Sequence, residues 1–313
     1  MSKQKLVVLT GPTAVGKSKL SIELAKAIGG EIISADSMQV YKYMNIGTDK
    51  ISPDKMGGVR HHLIDFLDPK EDFNVFLFQK LVKEAIDDIS SRGKVPILVG
   101  GTGFYIQAVL RDIDFTETDE DDSYRKELEQ RAENGEGHEL FEELKKVDPQ
   151  SAEIIHENNS KRVIRALEYY KKTGKKISEH NKEQSNNDSP YDFTYFVLTD
   201  DRKTLYSRID ARVDKMISDG LEQEVRDLVK MDIPMTATSM QSLGYREMIG
   251  YLNGEYDLER AIYLIKLNTR HFAKRQLTWF RRERDVIWLD KEAFGHNEDL
   301  ILKEMLRIYG NEQ

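Results

Sequence analysis

The sequence predicts an α/β fold in which a parallel β-sheet is flanked by helices. Short apolar runs alternate with amphipathic helical stretches near both ends of the chain, a pattern typical of strands joined by helical crossovers. Between them, residues of roughly 115–189 are charged, helical in pattern and poor in strand signals. We therefore expect a core built from residues 1–114 and 190–313, with C-terminal helices, and an all-helical insertion domain over residues 115–189.

The first part of the core has three strand signals. Residues 6–10, 31–35 and 95–99 are short apolar runs of the kind found in parallel strands that are buried on both faces. Apolar side chains at helical spacing follow the first run at residues 19–28 and precede the third run at residues 76–89. Paired glycines follow the first helix and the third strand, so both elements have a clear end.

Strand signals return after the insertion. Residues 195–199 form another apolar run, and residues 286–289 are a short last strand. Long helical patterns lie between these two strands, at residues 205–230 and 259–284. The chain is therefore expected to re-enter the sheet after residue 189.

The composition, with 33% charged and 39% hydrophobic residues, is ordinary for a globular protein. No apolar run approaches the ~20 residues of a membrane span, and the N-terminal run is too short for a signal peptide. We therefore expect a cytoplasmic protein that makes no membrane contact. A monomer is expected as well. The absence of cysteine excludes disulfides and thiolate metal sites.

The formal net charge of −8, taken alone, argues against a nucleic-acid partner. Two stretches are nevertheless locally basic, one from Lys161 to Lys176 and the other from Arg270 to Arg284. Charge alone favours solvated helix faces over nucleic-acid binding for both stretches, because lysine and arginine are common on helix surfaces.

Residues 11–18, GPTAVGKS, match the phosphate-binding pattern GxxxxGK[ST] in full. In such loops the backbone N–H groups point at phosphate oxygens, the lysine neutralises the terminal phosphates, and the Ser/Thr hydroxyl holds Mg²⁺. The motif follows a strand and opens a helix, whose positive N-terminal end also favours an anion. It predicts a core like that of P-loop NTPases and a diphosphate or nucleotide site at Gly11, Pro12, Thr13, Ala14, Val15, Gly16, Lys17 and Ser18, with Ser18 on the metal.

The loop does not specify whose phosphates it holds. A nucleotide-hydrolysing enzyme normally offers an apolar strand that ends in Asp to help hold magnesium. The best candidate strand, residues 95–99, is instead followed by Gly-Gly-Thr-Gly. This difference weakens the kinase and ATPase hypotheses but leaves ATP binding open.

Polar residues follow two further strands at the edge where ligands of open α/β sheets bind. Asp36 comes directly after the second strand and Thr102 lies in the glycine-rich turn after the third. By spacing alone, Asp36 is equally well a catalytic carboxylate or a turn and N-cap residue. The adjacent His61 and His62 make a poor metal pair, so a structural role, or one that supports other site residues, is favoured. Trp279 and Phe280 are interpreted as core residues rather than base-stacking platforms.

Several segments together resemble one family, the bacterial tRNA dimethylallyltransferases, which are also called tRNA isopentenyltransferases or IPP transferases. Their sequences, in chain order, are GPTAVGKS at 11–18, DSMQVY at 36–41, NIGTDK at 45–50, HHLID at 61–65, GGTGFY at 100–105, NSKRVIRALE at 159–168, SMQSLGYREM at 239–248 and TRHFAKRQLTWFRR at 269–282. The first segment is shared by all P-loop proteins, whereas DSMQVY, GGTGFY and the last segment are far more specific.

The resemblance implies transfer of a dimethylallyl group from dimethylallyl diphosphate to N6 of the adenosine 3′ of the anticodon. The substrates would be tRNAs that read codons beginning with U, and the by-product would be diphosphate. Asp36 would be the general base on the adenine amine, and Thr102 would bond near that amine or the diphosphate. Arg212 would reach the leaving diphosphate, and Ser18 would hold Mg²⁺.

The resemblance also implies a set of residues that face the anticodon stem-loop of tRNA. They comprise Asp36, Ser37, Met38, Gln39, Arg125, Ser160, Lys161, Arg162, Val163, Ile164, Ser242, Leu243, Gly244, Tyr245, Arg246, Arg270, Lys274, Arg275, Arg281 and Arg282.

Three other functions share some of these features. A small-molecule P-loop kinase would use ATP and would not need the basic stretches. A prenyltransferase acting on free adenine nucleotides would not need the long insertion. A non-catalytic RNA-binding protein would leave the phosphate loop unexplained. The insertion and the basic helices favour a macromolecular acceptor.

Overall fold

The computed structural model describes residues 3–115, 123–185 and 187–311, so residues 116–122 and 186 of the predicted insertion lie outside the described part. The chain separates into two compact units, Met1–Val109 with Pro190–Gln313, and Leu110–Ser189. No helix among the described residues is both long and apolar enough to cross a bilayer.

The first unit contains a parallel sheet, which confirms the predicted fold class. Along the chain its strands are β1 Gln4–Thr10, β2 Gly30–Ala35, β3 His61–His62, β4 Val95–Gly100, β5 Tyr191–Thr199 and β6 Val286–Asp290. Their spatial order is β3-β2-β4-β1-β5-β6. Strand β1 lies between β4 and β5, so the loop that follows it opens near the middle of the sheet. The two-residue strand β3 was not predicted because it has no apolar run.

Helices flank the sheet and complete the first unit. They are α1 Lys17–Ile28, α2 Val75–Ser91, α3 Gly103–Leu110, α9 Arg202–Ser218, α10 Leu221–Val229, α11 Tyr245–Leu252, α12 Leu258–Phe280 and α13 Glu298–Asn311, numbered with the helices of the second unit given below. The long helical pattern over residues 205–230 is divided between α9 and α10. Gly220, at φ 102°, separates α9 from α10 in a conformation that side chains with a Cβ rarely adopt.

The core of the first unit is apolar on both sides of the sheet. Val7, Leu9 and Ile97 from the strands are fully buried, and Leu20 and Leu24 bring the apolar face of α1 against them. Burying a side chain of this size stabilises the fold by roughly 1.5–3 kcal/mol. This packing holds the carboxyl ends of the strands, and the loops that follow them, in a fixed arrangement.

The second unit is helical, with its own small core. Its helices are α4 Ser123–Glu133, α5 Gly137–Val147, α6 Pro149–Ile154, α7 Ser160–Thr173 and α8 Ile177–Ser185. The buried carboxylate of Asp148 accepts hydrogen bonds from the backbone N–H and hydroxyl groups of Ser151 and Ser178, so it caps α6 and ties α8 to it. Burial raises the pKa of Asp148, but these hydrogen bonds together lower it by more, so the pKa lies below its ordinary value.

Candidate active site

The phosphate loop curls around its own lysine. Lys17 donates hydrogen bonds from Nζ to the carbonyl oxygens of Gly11 (2.9 Å) and Pro12 (2.8 Å). A Cβ at Gly11 would lie 2.4 Å from the carbonyl oxygen of Leu198, and its φ is 147°, so only glycine fits there. Burial lowers the pKa of Lys17 to about 7, with a further contribution from Arg212. A bound anion would favour the charged form of Lys17.

Arg212 joins the loop from α9. Its Nη2 donates to Thr13 Oγ1 (2.5 Å), and its Nη1 lies 3.1 Å from Asp49 Oδ2. Its Nε is buried without a hydrogen-bond partner in the described residues. The predicted diphosphate ligands Lys17 and Arg212 thus line one cavity, and each is held by groups that a diphosphate could replace or join.

Asp36 follows β2 directly, and its side chain stabilises the turn after the strand. Its Oδ1 accepts hydrogen bonds from the backbone N–H groups of Met38 (2.8 Å) and Gln39 (3.2 Å). The turn role considered from spacing is therefore present. Its other oxygen, Oδ2, has no hydrogen-bond partner among the residues that the structure describes. The Asp36 carboxylate thus stabilises the turn through Oδ1, while Oδ2 remains available to a ligand.

A cavity of about 590 Å³ brings these groups together. Thr102 enters it on the turn after β4, where its N–H lies 3.4 Å from the carbonyl oxygen of Ala35, next to Asp36. The hydroxyl of Ser18 makes no hydrogen bond to another described residue, which fits its predicted place on Mg²⁺, a cation that takes oxygen ligands. The lining includes Thr13, Ala14, Gly16, Lys17, Ser18, Asp36, Ser37, Met38, Gln39, Thr48, Asp49, Gly101, Thr102, Arg208, Arg212, Ser242, Leu243, Phe272 and Gln276.

The structure corrects three of the residues predicted to contact tRNA. Val163 and Ile164 face the core of the helical unit, with 1% and 5% of their surface exposed, because they lie on the apolar side of α7. Tyr245 is fully buried, and its hydroxyl donates to Glu224 (2.6 Å). These side chains stabilise the protein and do not present a surface to a partner.

Tyr245 and Glu224 instead support the loop that carries Asp49. The Glu224 carboxylate accepts hydrogen bonds from the backbone N–H groups of Asn45, Ile46 and Gly47, at 2.8 to 3.1 Å. The Tyr245 ring also packs against Gly47, where a Cβ would lie 2.4 Å from it. Gly244 and Arg246, on either side of Tyr245, bond to the Glu247 carboxylate rather than facing the cavity.

Predicted tRNA contacts also lie in the helical unit. Lys161 and Arg162 are exposed in the first turn of α7, which begins at Ser160. Arg125 is exposed on α4 and pairs with Glu129 at 3.0 Å. They form no part of the 590 Å³ cavity.

The basic stretch of α12 lines a second cavity of about 340 Å³. It is formed by His271, Lys274, Arg275, Thr278, Trp279 and Arg282. Lys274, Arg275 and Arg282 form no ion pair with any described residue, whereas Arg270 pairs with Asp210 at 3.1 Å. Arg281 is exposed where α12 ends.

The adjacent aromatic residues differ in burial. Phe280 is fully buried, which confirms its core assignment, but Trp279 is only half-buried and lines the second cavity. The histidine pair is structural as predicted. His62 Nε2 lies 2.7 Å from Glu31, and His61 Nδ1 lies 2.9 Å from the carbonyl oxygen of Val59. Within the described ranges, no group of three or more His, Asp or Glu side chains could hold a metal.

Two residues that contact the phosphate loop, Gln276 and Lys291, were not among the predicted site residues. Gln276 accepts a hydrogen bond from Thr13 N, and Lys291 donates from Nζ to the carbonyl oxygen of Val15 (3.2 Å). Both are nearly buried, at 6% and 4% exposure. Gln276 lies at an apolar position of the α12 pattern, so a polar residue there was an available signal. Nothing in the pattern around Lys291 distinguishes it from a surface lysine.

Comparisons with known proteins agree on one family. A family model described as IPP transferase matches residues 39–283. The chain is 59% identical over 305 residues to a protein named tRNA dimethylallyltransferase from Lachnoclostridium phytofermentans, covering 97% of each chain. It is 50% identical over 303 residues to a protein of the same name from Carboxydothermus hydrogenoformans, covering 96% of this chain and 97% of the other.

Solved structures give the same result. The tRNA isopentenylpyrophosphate transferase of Bacillus halodurans aligns with a TM-score of 0.75 and 44% identity, covering 99% of this chain and 97% of that one. A eukaryotic dimethylallyltransferase described as acting on tRNA aligns with a TM-score of 0.79 and 35% identity, covering 92% and 74% respectively.

Proposed function

The chain belongs to the IPP transferase family, and we propose that it acts as a tRNA dimethylallyltransferase. The reaction moves a dimethylallyl group from dimethylallyl diphosphate to N6 of the adenosine 3′ of the anticodon, in tRNAs that read U-initial codons. The observation that carries this proposal is the single cavity that holds the phosphate loop, Arg212 and Asp36 together. Lys17 and Arg212, which can stabilise a leaving diphosphate, thus line the same cavity as Asp36, which can accept a proton from an amine.

The bond changes assign a role to each group. The N6 lone pair attacks the allylic carbon, the bond from that carbon to the diphosphate oxygen breaks, and the bonding electrons leave with the diphosphate. Lys17, Arg212 and the loop N–H groups stabilise the charge that develops on the leaving group. Asp36 accepts the N6 proton as the new C–N bond forms, since an exocyclic amine is too weak an acid to lose it beforehand.

Mg²⁺ belongs to this proposal as the cofactor of the loop. Bound there, it would neutralise charge on the diphosphate oxygens. Ser18 would supply a protein oxygen ligand, and Thr102 lies near enough to Asp36 along the sheet edge to bond the amine or the diphosphate.

The acceptor is proposed to be the anticodon stem-loop of tRNA. Lys274, Arg275 and Arg282 are unpaired cations in the described ranges, and Lys161 and Arg162 are exposed, so both groups could neutralise RNA phosphates. The modified adenine must leave the stack of the anticodon loop to enter the cavity, as in enzymes that flip bases. Loop bases are already partly unstacked, which lowers the cost of that step.

The test combines two donors with two acceptors. Purified protein and Mg²⁺ receive dimethylallyl diphosphate or ATP, and unmodified tRNA with adenosines 3′ of its anticodon or AMP. Nucleoside mass spectrometry then identifies the product. We expect N6-isopentenyladenosine in tRNA only with the prenyl donor. Prenylated AMP without prenylated tRNA would support the nucleotide-modifying function, and ADP release without prenyl transfer would support the kinase.

A further inference from the structure

Gln276, on α12, bonds two loops of the active site at once. Its Oε1 accepts a hydrogen bond from Thr13 N at 2.8 Å, and its Nε2 donates to the carbonyl oxygen of Gly101 at 2.9 Å. Only 6% of the residue is exposed. The amide therefore links the phosphate loop after β1 to the glycine turn after β4, and neither loop is joined to the other by such a side chain elsewhere in the described residues.

The chemistry of this contact selects an amide. Thr13 N is a donor and the Gly101 carbonyl is an acceptor, and only a side chain with one donor and one acceptor at its end satisfies both. The fit is also tight, because a Cβ at Gly101 would lie 2.3 Å from Gln276 Nε2. One helical turn further, a Cβ at Gly103 would lie 2.2 Å from the Trp279 ring. Two glycines of the turn are thus docked on one face of α12.

The two loops carry the groups that must act together. Thr13 gives its N–H to Gln276 and accepts a hydrogen bond from Arg212 at its hydroxyl, so both of these polar groups are engaged. On the other side, Gly101 immediately precedes Thr102, whose N–H points to the strand end that bears Asp36. The pairing of β1 with β4, together with a hydrogen bond from the Thr10 hydroxyl to the Gly100 carbonyl oxygen, fixes the strand ends, and the buried amide of Gln276 joins the two loops beyond them.

We propose that Gln276 is a positioning residue, which fixes the phosphate loop relative to the turn that carries Thr102. Its action on the reaction passes through Thr13 and Gly101. The kinetic consequence rests on the proposed prenyl transfer, whereas the effect on diphosphate binding does not. Small displacements of reacting groups are costly, since a shift of about 1 Å can lower a rate on the order of 100-fold.

The variant Gln276→Glu tests this role with an almost unchanged shape. Its carboxylate still accepts from Thr13 N but repels the Gly101 carbonyl, whereas the protonated acid both accepts and donates as the amide does. We expect kcat/KM for dimethylallyl diphosphate to fall about 10- to 100-fold at about pH 8. The ratio of variant to wild type should then rise as the pH is lowered. Lys17, Arg212 and Asp36 line the same cavity, so the variant is compared with the wild type at each pH.

Gln79→Glu is the matched control. Gln79 is 7% exposed on α2, donates from Nε2 to the carbonyl oxygen of Ala108 at 2.8 Å, and does not line the cavity. Both variants are expected to lower thermal stability by similar amounts. Only the Gln276 variant should change kcat/KM and its pH profile at temperatures well below unfolding.

Calorimetric titration with Mg²⁺ and inorganic pyrophosphate separates this proposal from the proposed function. We expect Gln276→Glu to weaken pyrophosphate binding at about pH 8 and to recover it at lower pH, and Gln79→Glu to bind as wild type. A wild type that binds pyrophosphate but prenylates no tRNA would remove the function and leave the binding result to decide. Equal behaviour of the two variants, a flat pH ratio, or a wild type that binds no pyrophosphate would overturn the positioning role.

Discussion

Strand β2 has a carboxylate at each end, and the two differ in their ion pairing and in their access to the active-site cavity. At its amino end, Glu31 is 2% exposed and meets three basic side chains, with Arg92 at 2.6 Å, Lys94 at 2.7 Å and His62 at 2.7 Å. Directly after its carboxyl end, Asp36 is half-buried, lines the active-site cavity and bonds only to backbone N–H groups. The same strand thus positions one fully paired carboxylate and one that remains available.

The difference follows from the geometry of parallel sheets. Ligands bind beyond the carboxyl ends of the strands, so a charge at the amino end has no substrate to meet and must be neutralised by the protein. Hydrogen bonds from Arg92, with those from Lys94 and His62, hold the pKa of Glu31 well below its ordinary value of 4.5 despite its burial. The cations near Asp36, Lys17 and Arg212, are instead held by loop carbonyls, Thr13 and Asp49. Of these two carboxylates, the one that basic side chains neutralise is structural, and the one without such a partner faces the cavity.

The largest expected effect is on the rate when Asp36 is changed. Asp36→Asn keeps an oxygen for the N–H groups of Met38 and Gln39 but removes the base, so the single-turnover rate of prenyl transfer should fall on the order of 10²- to 10⁴-fold. Stability and pyrophosphate affinity should be nearly unchanged. Asp68→Asn is the control, because Asp68 Oδ1 accepts from Lys70 N in a similar turn outside the cavity. Retention of more than a tenth of the wild-type rate would contradict the general-base assignment.

The opposite result is expected at the amino end of the strand. Glu31→Gln should leave the rate unchanged well below the unfolding temperature and lower the free energy of unfolding by about 2–3 kcal/mol. Breaking a buried ion pair costs more than this when both partners are enclosed, but Arg92 and Lys94 are partly exposed and can regain water. Urea unfolding at neutral pH measures the loss. A variant as stable as the wild type would mean that the cluster does not hold this edge of the sheet.

The two ends of β2 also differ in how far sequence could describe them. The apolar run at residues 31–35 predicted the strand, and the motif after it predicted a site at Asp36, because both signals are local. The partners of Glu31 come from residues 62, 92 and 94, and nothing in a single sequence joins them. Strand β3 was missed for the same reason, since only pairing with β2 makes two histidines a strand.

The active site shows the same division between local and distant information. The phosphate loop is continuous in sequence and was predicted whole, whereas Gln276 reaches it from a helix far along the chain. Burial was the hardest property to predict. Val163, Ile164 and Tyr245 belong to segments that resemble tRNA-binding ones, yet they lie on the inward faces of α7 and α11. A motif identifies a segment, and the packing of its helix decides which of its side chains face outward.

A smaller effect, on diphosphate affinity, is expected from the pH. Burial and Arg212 lower the pKa of Lys17 to about 7 in the free protein, and a bound diphosphate raises it again by favouring the charged form. Affinity should therefore be highest below about pH 7 and fall by up to about tenfold per pH unit above it, because binding must then take up a proton. Calorimetry in buffers of different ionisation enthalpy measures that uptake.

The variant Lys17→Met provides the control for this measurement. It should bind pyrophosphate more weakly and lose the part of the proton uptake that Lys17 contributes. The uptake that remains belongs to pyrophosphate itself and to other groups. Equal proton uptake by wild type and variant above about pH 7 would show that Lys17 is already charged in the free loop.

The smallest expected effect concerns Asp88, which shares Arg92 with Glu31. Asp88 Oδ2 lies 2.8 Å from Arg92 Nη2, but its side chain is 51% exposed, compared with 3% for Glu31. Water replaces a lost partner at an exposed site, so Asp88→Asn should leave the urea midpoint unchanged within error. If it destabilised the protein as much as Glu31→Gln, the pairing of the charge rather than its burial would account for the stability of this edge. In the Glu31→Gln background Asp88 becomes the remaining carboxylate partner of Arg92, so the same change should then cost more than it does in the wild type.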